Sequence, residues 1–385
     1  MTDEPRVDWD PRSDAVQANQ VAAYDEMRGR CPVAHSAYRN WTVFRHSDTV
    51  RILDDPDTFS NAVSSHLSVP NGMDPPEHTP FRAINDRYFT PERMAAFEPA
   101  CREVSRNLVD ALGGGEVEIV AALAEPFANH IQCSFMGWPD RLHEPLRDWT
   151  RKNREATRAL DRAAMSAIAL EFDGYIREQL GERRTAGRNA PRDVTTDLLA
   201  EQVDGRPLSD AELVSLIRNW TVGELSTIAS CVGILVSFLA SNPDIQRHLR
   251  AEPDRIGAAC DEILRMQAPL IANRRRTTRE VTIAGRTIPA DERVMVLWAS
   301  ANRDEDVFGD PDEFRLDRTP ADNLLYGRGI HYCPGAPLAR LELTVLIEEL
   351  LAATESIDAV QGATPTYAAY PAGGFTSVPV SLQRR

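Results

Sequence analysis

Apolar positions recur at helical spacing along most of the chain, and the longest such run lies near its middle. The run from Glu212 to Ala240 is mostly apolar, has few helix-breaking residues and begins with polar positions. It therefore predicts a buried core helix rather than a membrane span. Asn242 and Pro243 end this run, and a helical period continues from there to Pro269. The pattern predicts a mainly helical protein.

Strand patterns are short and few. Residues 281–300 (VTIAGRTIPADERVMVLWAS) alternate and carry β-branched residues around turn-forming positions, which predicts a small hairpin. Residues 375–383 (FTSVPVSLQ) predict a second one. Residues 184–192 (RTAGRNAPR) have the composition of a linker, but helical patterns flank them, so we expect a surface loop rather than a domain boundary.

Composition narrows the class of protein. The chain has 385 residues, of which 42% are hydrophobic and 26% charged, enough to bury a large core. A net charge of -15 argues against nucleic acid or an anionic membrane as the main partner. Residues 1–20 lack the basic start and apolar run of a signal peptide, and the six cysteines show no paired spacing. We expect a cytoplasmic protein with free thiols and a small-molecule or peptide ligand.

One cysteine lies in a glycine-rich stretch, 324–342 (LLYGRGIHYCPGAPLARLE). A zinc site at Cys333 would need more ligands, and His331 lies too close to form the usual pair. A cysteine nucleophile and a buried structural cysteine stay open, although neither explains the glycines. A thiolate bound to haem iron does explain them, because glycines let the backbone approach a flat macrocycle and the following helix directs N–H groups at the sulfur. The glycines are Gly327, Gly329 and Gly335.

Residues 326–335 (YGRGIHYCPG) resemble the haem-binding loop of the cytochromes P450, written F-G-x-G-x-H-x-C-x-G. Every fixed position matches except the first, where Tyr326 replaces phenylalanine and adds a hydroxyl that needs a partner. The resemblance implies haem b with the Cys333 thiolate as axial ligand of the iron. It also implies that the cofactor contacts Tyr326, Gly327, His331 and Gly335.

A second set of motifs resembles the charge network of the same family. Glu262 and Arg265, in DEILR, match its E-x-x-R pair, and Arg318 ends a matching segment, FGDPDEFRLDR. Taken alone, a glutamate and an arginine three residues apart on a helix are usually a solvated surface pair. In this order before Cys333, the resemblance implies a buried structural network without a catalytic part.

A third set resembles the residues that hold the haem propionates. His78 and Arg82, in DPPEHTPFR, match the family segment that reaches one propionate. Arg275 falls where the family has another propionate-binding arginine, with Arg274 or Arg276 as alternatives if the register slips. Cationic donors suit a carboxylate buried at the edge of a cofactor.

The long central helix departs from the family pattern A/G-G-x-D/E-T, in which an acid and a threonine relay protons during oxygen activation. Counting back from Pro243 assigns Thr227 to the threonine and Ser226 to the acid, whereas a slip by one residue would make Ser226 the alcohol. Glu224 lies one turn before Thr227 and, like a water chain, is a candidate proton source. Alternatively, Glu224 anchors a cationic or hydrogen-bonding substrate, or turns away into the helix packing.

The segments that cover the distal side of the central helix are predicted to be short. Few residues separate Phe59 from His78, and the connection around 151–168 is also brief. We therefore expect an open cleft, suited to a peptide or another polar, extended molecule. By resemblance only, the candidate wall residues are Ser65, His66, Leu67, Val222, Gly223, Leu270, Ile271, Phe375 and Thr376.

The resemblance as a whole implies a single cytochrome P450 domain over residues 1–385, mainly α with a small β part, in which haem lies between the central helix and the cysteine loop. It implies a soluble, bacterial-type monooxygenase that uses O2 to oxidise an organic substrate in secondary metabolism. No dinucleotide, flavin or iron–sulfur motif is visible, so we expect a separate ferredoxin and ferredoxin reductase. Arg328 and Arg340 either receive that acidic ferredoxin or are ordinary solvated arginines.

Two alternatives to hydroxylation or O-demethylation stay open at this point. One is oxidative aryl cross-linking of a short peptide, which removes two hydrogens instead of inserting oxygen. The other is a haem-binding sensor without turnover, against which Thr227 and the long helix favour an enzyme.

Overall fold

The computed structural model describes residues 7–38 and 40–385. In this described part the helices are α1 (Asp14–Ala18), α2 (Gln20–Arg30), α3 (His46–Leu53), α4 (His78–Asp86), α5 (Pro91–Ala111), α6 (Glu125–Met136), α7 (His143–Ala159), α8 (Arg162–Ala186), α9 (Val194–Leu199), α10 (Asp210–Ser241), α11 (Pro243–Ala251), α12 (Ile256–Met266), α13 (Trp298–Ala301), α14 (Glu305–Phe308) and α15 (Ala336–Ala353). The strands are β1 (Val33–Ser36), β2 (Asn40–Val43), β3 (Phe59–Ser60), β4 (Gly115–Glu118), β5 (Gln202–Val203), β6 (Arg206–Pro207), β7 (Asn273–Thr277), β8 (Val281–Ile283), β9 (Arg286–Ile288), β10 (Arg293–Val296), β11 (Thr354–Ala359), β12 (Thr366–Tyr367), β13 (Phe375–Ser377) and β14 (Pro379–Arg384).

Helix α10 runs through the centre of the core. It begins with a capping box in which Ser209 and Glu212 satisfy each other's backbone N–H groups, and it ends at the Asn242–Pro243 step. Its apolar side chains are buried from Leu213 onward and pack with those of α5, α6, α12 and α15. By length and composition α10 is the one described helix that would cross a membrane, but half of its most apolar window is buried inside the protein. The predicted core helix is confirmed.

The β part is small and lies in separate sheets. The largest has five strands in the order β1-β2-β10-β7-β3, and a three-stranded sheet has the order β11-β14-β4. The predicted hairpin is confirmed as β8 and β9, while β10 leaves it to pair with β2 and β7. The second predicted hairpin is wrong. Its residues form β13 and β14, which pair with β12 and β11 in different sheets.

Two connections leave the distal side of α10 lightly covered. The described residues 61–77, between β3 and α4, form no helix. Helices α7 and α8 are joined by two residues only, and the first, Leu160, has a positive φ of 56°. The predicted loop at 184–192 begins later than expected, because α8 continues to Ala186 and a 3₁₀ turn follows it.

The predicted charge network is buried where α12 meets the segment after α14. Arg265 donates to both oxygens of Glu262 at 2.7 and 2.9 Å, and Arg318 Nε donates to Glu262 Oε1 at 2.8 Å. Glu262 is 5% exposed and Arg265 only 1% exposed. Arg265 also donates to the carbonyl of Asn302, and its guanidinium lies 4.9 Å from the centre of the Phe308 ring. These contacts hold the segment that leads into the cysteine loop.

Candidate active site

A cavity of about 1050 Å³ lies between α10 and the cysteine loop. Thr227 and Glu224 line it from α10, and Cys333 lines it from the loop. It reaches the distal side under residues 61–72 and α8. All of the predicted cofactor residues border this one space, namely Cys333, His78, Arg82, Arg275, His331, Tyr326, Gly327 and Gly335.

The cysteine loop owes its shape to two glycines. Gly327 and Gly329 have φ values of 73° and 71°, a region that side-chain-bearing residues rarely adopt. A Cβ on Gly329 would also lie 2.4 Å from the carbonyl oxygen of Leu53, so the loop packs directly on α3. The turn is closed by a 2.9 Å hydrogen bond from the Cys333 N–H to the carbonyl of Tyr326. The cysteine is thereby fixed just before α15 begins.

Gly335 plays a different part from the one expected. Its φ is -78°, and a Cβ there would meet only Cys333 Sγ at 3.9 Å and Phe89 at 4.0 Å. Neither backbone strain nor crowding within the protein demands a glycine at this position. The absence of a side chain instead leaves open the space beside the sulfur, where a bound macrocycle would lie.

Two opposing influences act on the pKa of the Cys333 thiol. Burial raises the pKa of the Cys333 thiol, and the negative charge of Glu224 acts in the same direction. The backbone N–H groups of Gly335 and Ala336 act to lower that pKa, because they point at the sulfur from the start of α15. A coordinating metal cation would hold this sulfur as the thiolate outright.

One edge of the cavity carries the imidazoles of His78 and His331 and the guanidinium of Arg275, for which no ion pair is found among the described residues. The rings of His78 and His331 meet edge-on with centroids 4.5 Å apart, and Nε2 of each is buried without a hydrogen-bond partner. Arg275 is 4% exposed, and burial lowers its pKa to about 10. Burial, together with His78, Arg275 and Arg82, lowers the pKa of His331 to about 3. Such a cluster calls for an anionic ligand.

Arg82 has two tasks at this edge. Its Nη1 donates to the carbonyl of Ile330 at 3.0 Å and also to that of Tyr332, while Nε pairs with Asp86 at 2.7 Å. Arg82 therefore ties α4 to the cysteine loop in addition to bordering the cavity.

Burial distinguishes Arg275 from the two arginines next to it in the chain. Arg275 is the buried arginine of β7, since its neighbours Arg274 and Arg276 are exposed and Arg276 pairs with Asp291. Arg274 also borders the cavity, nearer its mouth. Pairing of Arg275 with Val294 of β10 aims it at the cavity edge.

These residues fit haem. A cysteine sulfur at one side of the cavity, two imidazole nitrogens without hydrogen-bond partners and a buried guanidinium along one edge match an iron macrocycle with two propionate carboxylates.

The distal residues separate into two groups. Gly223, Glu224 and Thr227 line the cavity. Ser226 is exposed and is not among the residues that line the cavity. Its role at the acid position, or as the alcohol if the register slips by one residue, stays a prediction.

The predicted substrate wall is right only in part. His66, Leu67, Gly223 and Leu270 line the cavity, whereas five other predicted residues do not. Ile271 and Val222 pack into apolar clusters, and Ser65 is exposed outside. Phe375 is buried and stacks on Tyr367 at 4.8 Å, and the Thr376 hydroxyl donates to the carbonyl of Thr366. The residues to be removed from the predicted wall are Ser65, Val222, Ile271, Phe375 and Thr376.

Several wall residues were missed, because no motif marks them. Arg218 of α10 pairs with Asp173 of α8 at 2.7 Å, and its Nη2 donates to the carbonyl of Leu67 at 2.8 Å. Only the packing of α8 over α10 brings these groups together. Others that line the cavity are Gln132, Asn153, Arg162, Ser166, Asn219 and Trp298.

Burial, together with the negative charge of the neighbouring Asp261, raises the pKa of the Tyr326 hydroxyl well above its usual value. Arg340 completes the group, pairing with Asp261 at 2.8 Å and lying 4.5 Å above the Tyr326 ring. Arg328 is paired with Asp54 at 2.9 Å. The two arginines considered for ferredoxin binding are thus both engaged in ion pairs.

Comparison with known proteins assigns the family. The cytochrome P450 family model matches residues 161–355. An erythromycin C-12 hydroxylase from Saccharopolyspora erythraea is 34% identical over 352 residues, covering 87% of this chain and 88% of the relative. The cyclomarin C epoxidase CymV from Salinispora arenicola is 31% identical over 343 residues, covering 84% and 86%. A mutant of P450 EryK in complex with erythromycin B superimposes with a TM-score of 0.87 and 30% identity, covering 96% of this chain and 97% of that one.

The chain is therefore a monooxygenase, because the relatives that it matches are named as hydroxylases and epoxidases. Several of these relatives act in bacterial secondary metabolism. It belongs to the cytochrome P450 family. The expected fold, mainly α with a small β part, is confirmed. Membership implies haem with a cysteine thiolate ligand, and it decides between enzyme and non-catalytic sensor in favour of the enzyme.

Proposed function

We propose that the chain binds haem b with Cys333 as axial ligand and inserts oxygen from O2 into a bulky natural product of mixed polarity, such as a macrolide or a cyclic peptide. The observation that carries this proposal is the single cavity in which Cys333 faces Thr227 while His78 and His331 present unpartnered nitrogens at one edge.

Haem, when bound, supplies the oxygen-activating chemistry. The chain's contribution begins with holding the cofactor. The Cys333 sulfur would ligate the iron, with the N–H groups of Gly335 and Ala336 directed at it. His78, His331 and Arg275 would donate to the propionates, which offsets the cost of burying these polar groups.

Thr227 would hold a water molecule near the reacting centre. Its hydroxyl both donates and accepts, so it can fix a water and pass a proton along it. Glu224 lies one turn earlier on the same side of α10 and also borders the cavity. It is therefore placed to supply protons.

The mouth of the cavity suits a large ligand with apolar and polar surface. Four exposed apolar side chains border it, and the Asp173–Arg218 pair lies beside them. Contiguous exposed apolar surface beside polar groups is typical of binding sites. The apolar side chains are Leu67, Met165, Leu170 and Leu270.

Two named relatives support this substrate class. One is a hydroxylase of erythromycin at C-12, and the other is an epoxidase of cyclomarin C. No feature of the cavity favours aryl cross-linking of a short peptide over oxygen insertion. A single P450 domain over residues 1–385, a separate ferredoxin with its reductase and a cytoplasmic location complete the proposal, and the lack of a visible dinucleotide, flavin or iron–sulfur motif in the sequence supports the separate reductase.

The test is a product screen. The haem-loaded protein is incubated with macrolides, cyclic peptides and short aromatic peptides, together with NADPH, a plant-type ferredoxin and its reductase, and products are analysed by mass spectrometry. Gain of one oxygen atom, labelled when isotopic O2 is used, is the expected result, and it disappears in Cys333→Ser. Loss of two hydrogens would establish cross-linking instead. Failure of every macrolide and cyclic peptide to bind or react would contradict the proposed substrate class.

A further inference from the structure

A stripe of side chains along α8 borders the cavity on its distal side. Steps of three and four residues set these side chains on one face of the helix, while Phe172 and Ile176 pack into the core from another face. The stripe consists of Arg162, Met165, Ser166, Ala169, Leu170 and Asp173. One wall of the cavity is therefore mostly apolar in its middle and charged at both ends.

Asp173, the last residue of this stripe, is held by groups from two other parts of the fold. Its Oδ1 accepts a 2.7 Å hydrogen bond from Nη1 of Arg218 on α10. Nη2 of Arg218 in turn donates to the carbonyl of Leu67 at 2.8 Å. The side chains of Asp173 and Arg218 are only 19% and 22% exposed. The orientation of the carboxylate is thereby fixed by the protein alone.

The second oxygen of this carboxylate is open. Asp173 Oδ2 accepts no hydrogen bond from the described residues, and it is not among their fully enclosed atoms. Among the described residues that border the cavity, Glu224 is the one other carboxylate. An acceptor on a mostly buried carboxylate is stabilised when a ligand supplies a donor. Asp173 is thus the anionic acceptor that a ligand lying along the stripe would meet.

The charge of Asp173 is already balanced by Arg218. A ligand ammonium group beside the pair would add a second positive charge where little water is available, and an uncompensated charge in such a place is costly. A neutral donor satisfies Oδ2 and leaves the charge balance as it is. Hydroxyl groups and amide N–H groups are the neutral donors that natural products of this size carry.

We propose that Asp173 is a specificity-determining residue, which accepts a hydrogen bond from a hydroxyl or an amide N–H of the substrate. The apolar body of the substrate lies along Met165, Ala169 and Leu170, two of which are strongly exposed to the cavity mouth. This inference rests on the proposed function and deepens it, because it names the group by which a macrolide or a cyclic peptide is recognised.

The test measures the binding of donor-deleted ligands to the haem-loaded protein by isothermal titration calorimetry. The ligands are the macrolides and cyclic peptides of the product screen, beginning with erythromycin B and cyclomarin C. Each is compared with analogues in which a single hydroxyl is replaced by hydrogen or a single amide by an ester, so that one donor is lost with little change of shape. A response to the first change identifies a hydroxyl as the recognised group, and a response to the second identifies an amide N–H.

One analogue should bind the wild type roughly ten- to a hundredfold more weakly than its parent, as expected for loss of a hydrogen bond to a charged group. This ratio should largely disappear in Asp173→Asn, because the amide keeps its oxygen toward Arg218 and turns N–H groups toward the ligand. Asp173→Ala, a second variant, should lose it as well. The control Glu171→Gln should keep it, since Glu171 lies on the same helix but pairs with Lys152 and does not border the cavity.

The ratio separates recognition from a structural effect. A general loosening of α8 would weaken the parent ligand and its analogue alike, and their ratio would stay unchanged. A ratio as large in the Asp173 variants as in the wild type would overturn the inference. A wild type whose ligands lose no affinity with any donor would also overturn it, and in both cases the proposed function stands. Failure of every one of these ligands to bind the wild type would contradict the proposed substrate class itself.

Discussion

At the residue scale, the cavity edge shows how a site can be found from what its side chains lack. His78 and His331 are buried with a ring nitrogen unpaired, and Arg275 donates only to the neighbouring carbonyl of Arg274. Buried polar groups in native proteins are nearly always hydrogen-bonded. The unpaired nitrogens at this edge therefore mark the place of an anionic ligand, and the propionates of haem would supply it.

Arg275→Ala should weaken haem retention. Loss of one hydrogen bond to a charged group costs about 1.5–3 kcal/mol, so haem should leave roughly ten- to a hundredfold faster. The measurement is the rate of haem transfer to excess apomyoglobin. Arg276→Ala is the matched control, because Arg276 is exposed on the same strand and pairs with Asp291. Equal rates for the two variants would show that Arg275 does not hold the cofactor.

The sequence could predict the residues of the haem side well but those of the substrate side poorly. A ten-residue loop with Cys333 encodes its own geometry, since the positive φ angles at Gly327 and Gly329 are local demands. Phe375 was expected at the wall, but it turns inward onto Tyr367. The direction in which the side chain of a strand residue points depends on the strands that it pairs with. The local sequence pattern does not identify those strands.

At the element scale, the first half of α10 anchors the cover of the cavity. Ser215 Oγ accepts from the Val69 N–H and donates to the carbonyl of Leu67, both at 2.9 Å. Asn219 Nδ2 donates to the carbonyl of Val69, also at 2.9 Å. These hydrogen bonds fix the middle of the non-helical segment 61–77 to α10.

Ser215→Ala should loosen this segment without unfolding the protein. The change removes two hydrogen bonds, each worth about 1 kcal/mol net. The amide of Val69 should therefore exchange with deuterated water several-fold faster, as measured by hydrogen-exchange mass spectrometry of peptides covering 66–72.

Ser241→Ala is the control for this experiment, because the Ser241 hydroxyl donates only to the carbonyl of Ser237 at the exposed end of α10. Unchanged exchange at Val69 in Ser215→Ala would mean that other contacts, such as Asn219, hold the cover by themselves.

The helices and strands that the sequence predicts correctly are those whose signals lie in neighbouring residues. The long apolar run and its Asn242–Pro243 stop define α10, and the turn at Gly285 defines the hairpin of β8 and β9. The C-terminal pattern was placed in one hairpin, whereas β13 pairs with β12, and β14 pairs in another sheet with β11 and with β4 from far earlier in the chain.

At the scale of the whole molecule, the average charge hides the chemistry of the interior. The chain carries a net charge of -15, yet a buried cationic edge lies in its main cavity. Composition disfavours a polyanionic partner but cannot reveal a local site for two carboxylates. The ion network of Glu262, Arg265 and Arg318 is a second set of interior charges that the net charge does not reveal. It ties α12 to the segment before the cysteine loop.

Glu262→Gln should destabilise the entire fold. The buried guanidinium of Arg265 and the partly buried one of Arg318 would lose their shared negative charge, and breaking a buried pair in this way costs about 3–5 kcal/mol. Urea unfolding followed by circular dichroism should show a clearly lower midpoint, whereas Glu280→Gln, on an exposed residue, should leave it unchanged. A variant as stable as the wild type would show that the network contributes specificity rather than stability.

The central claim is that Cys333 is the axial ligand of a haem held in this cavity. The most direct measurement is the absorbance difference between the reduced protein with and without carbon monoxide. The wild type should show the red-shifted Soret band typical of a thiolate ligand, and Cys333→Ser should lose it. Cys231→Ser, a change at another cysteine that lines the cavity, should keep it. A thiolate-type band that persists in Cys333→Ser, or is absent from the haem-supplied wild type, would contradict the account.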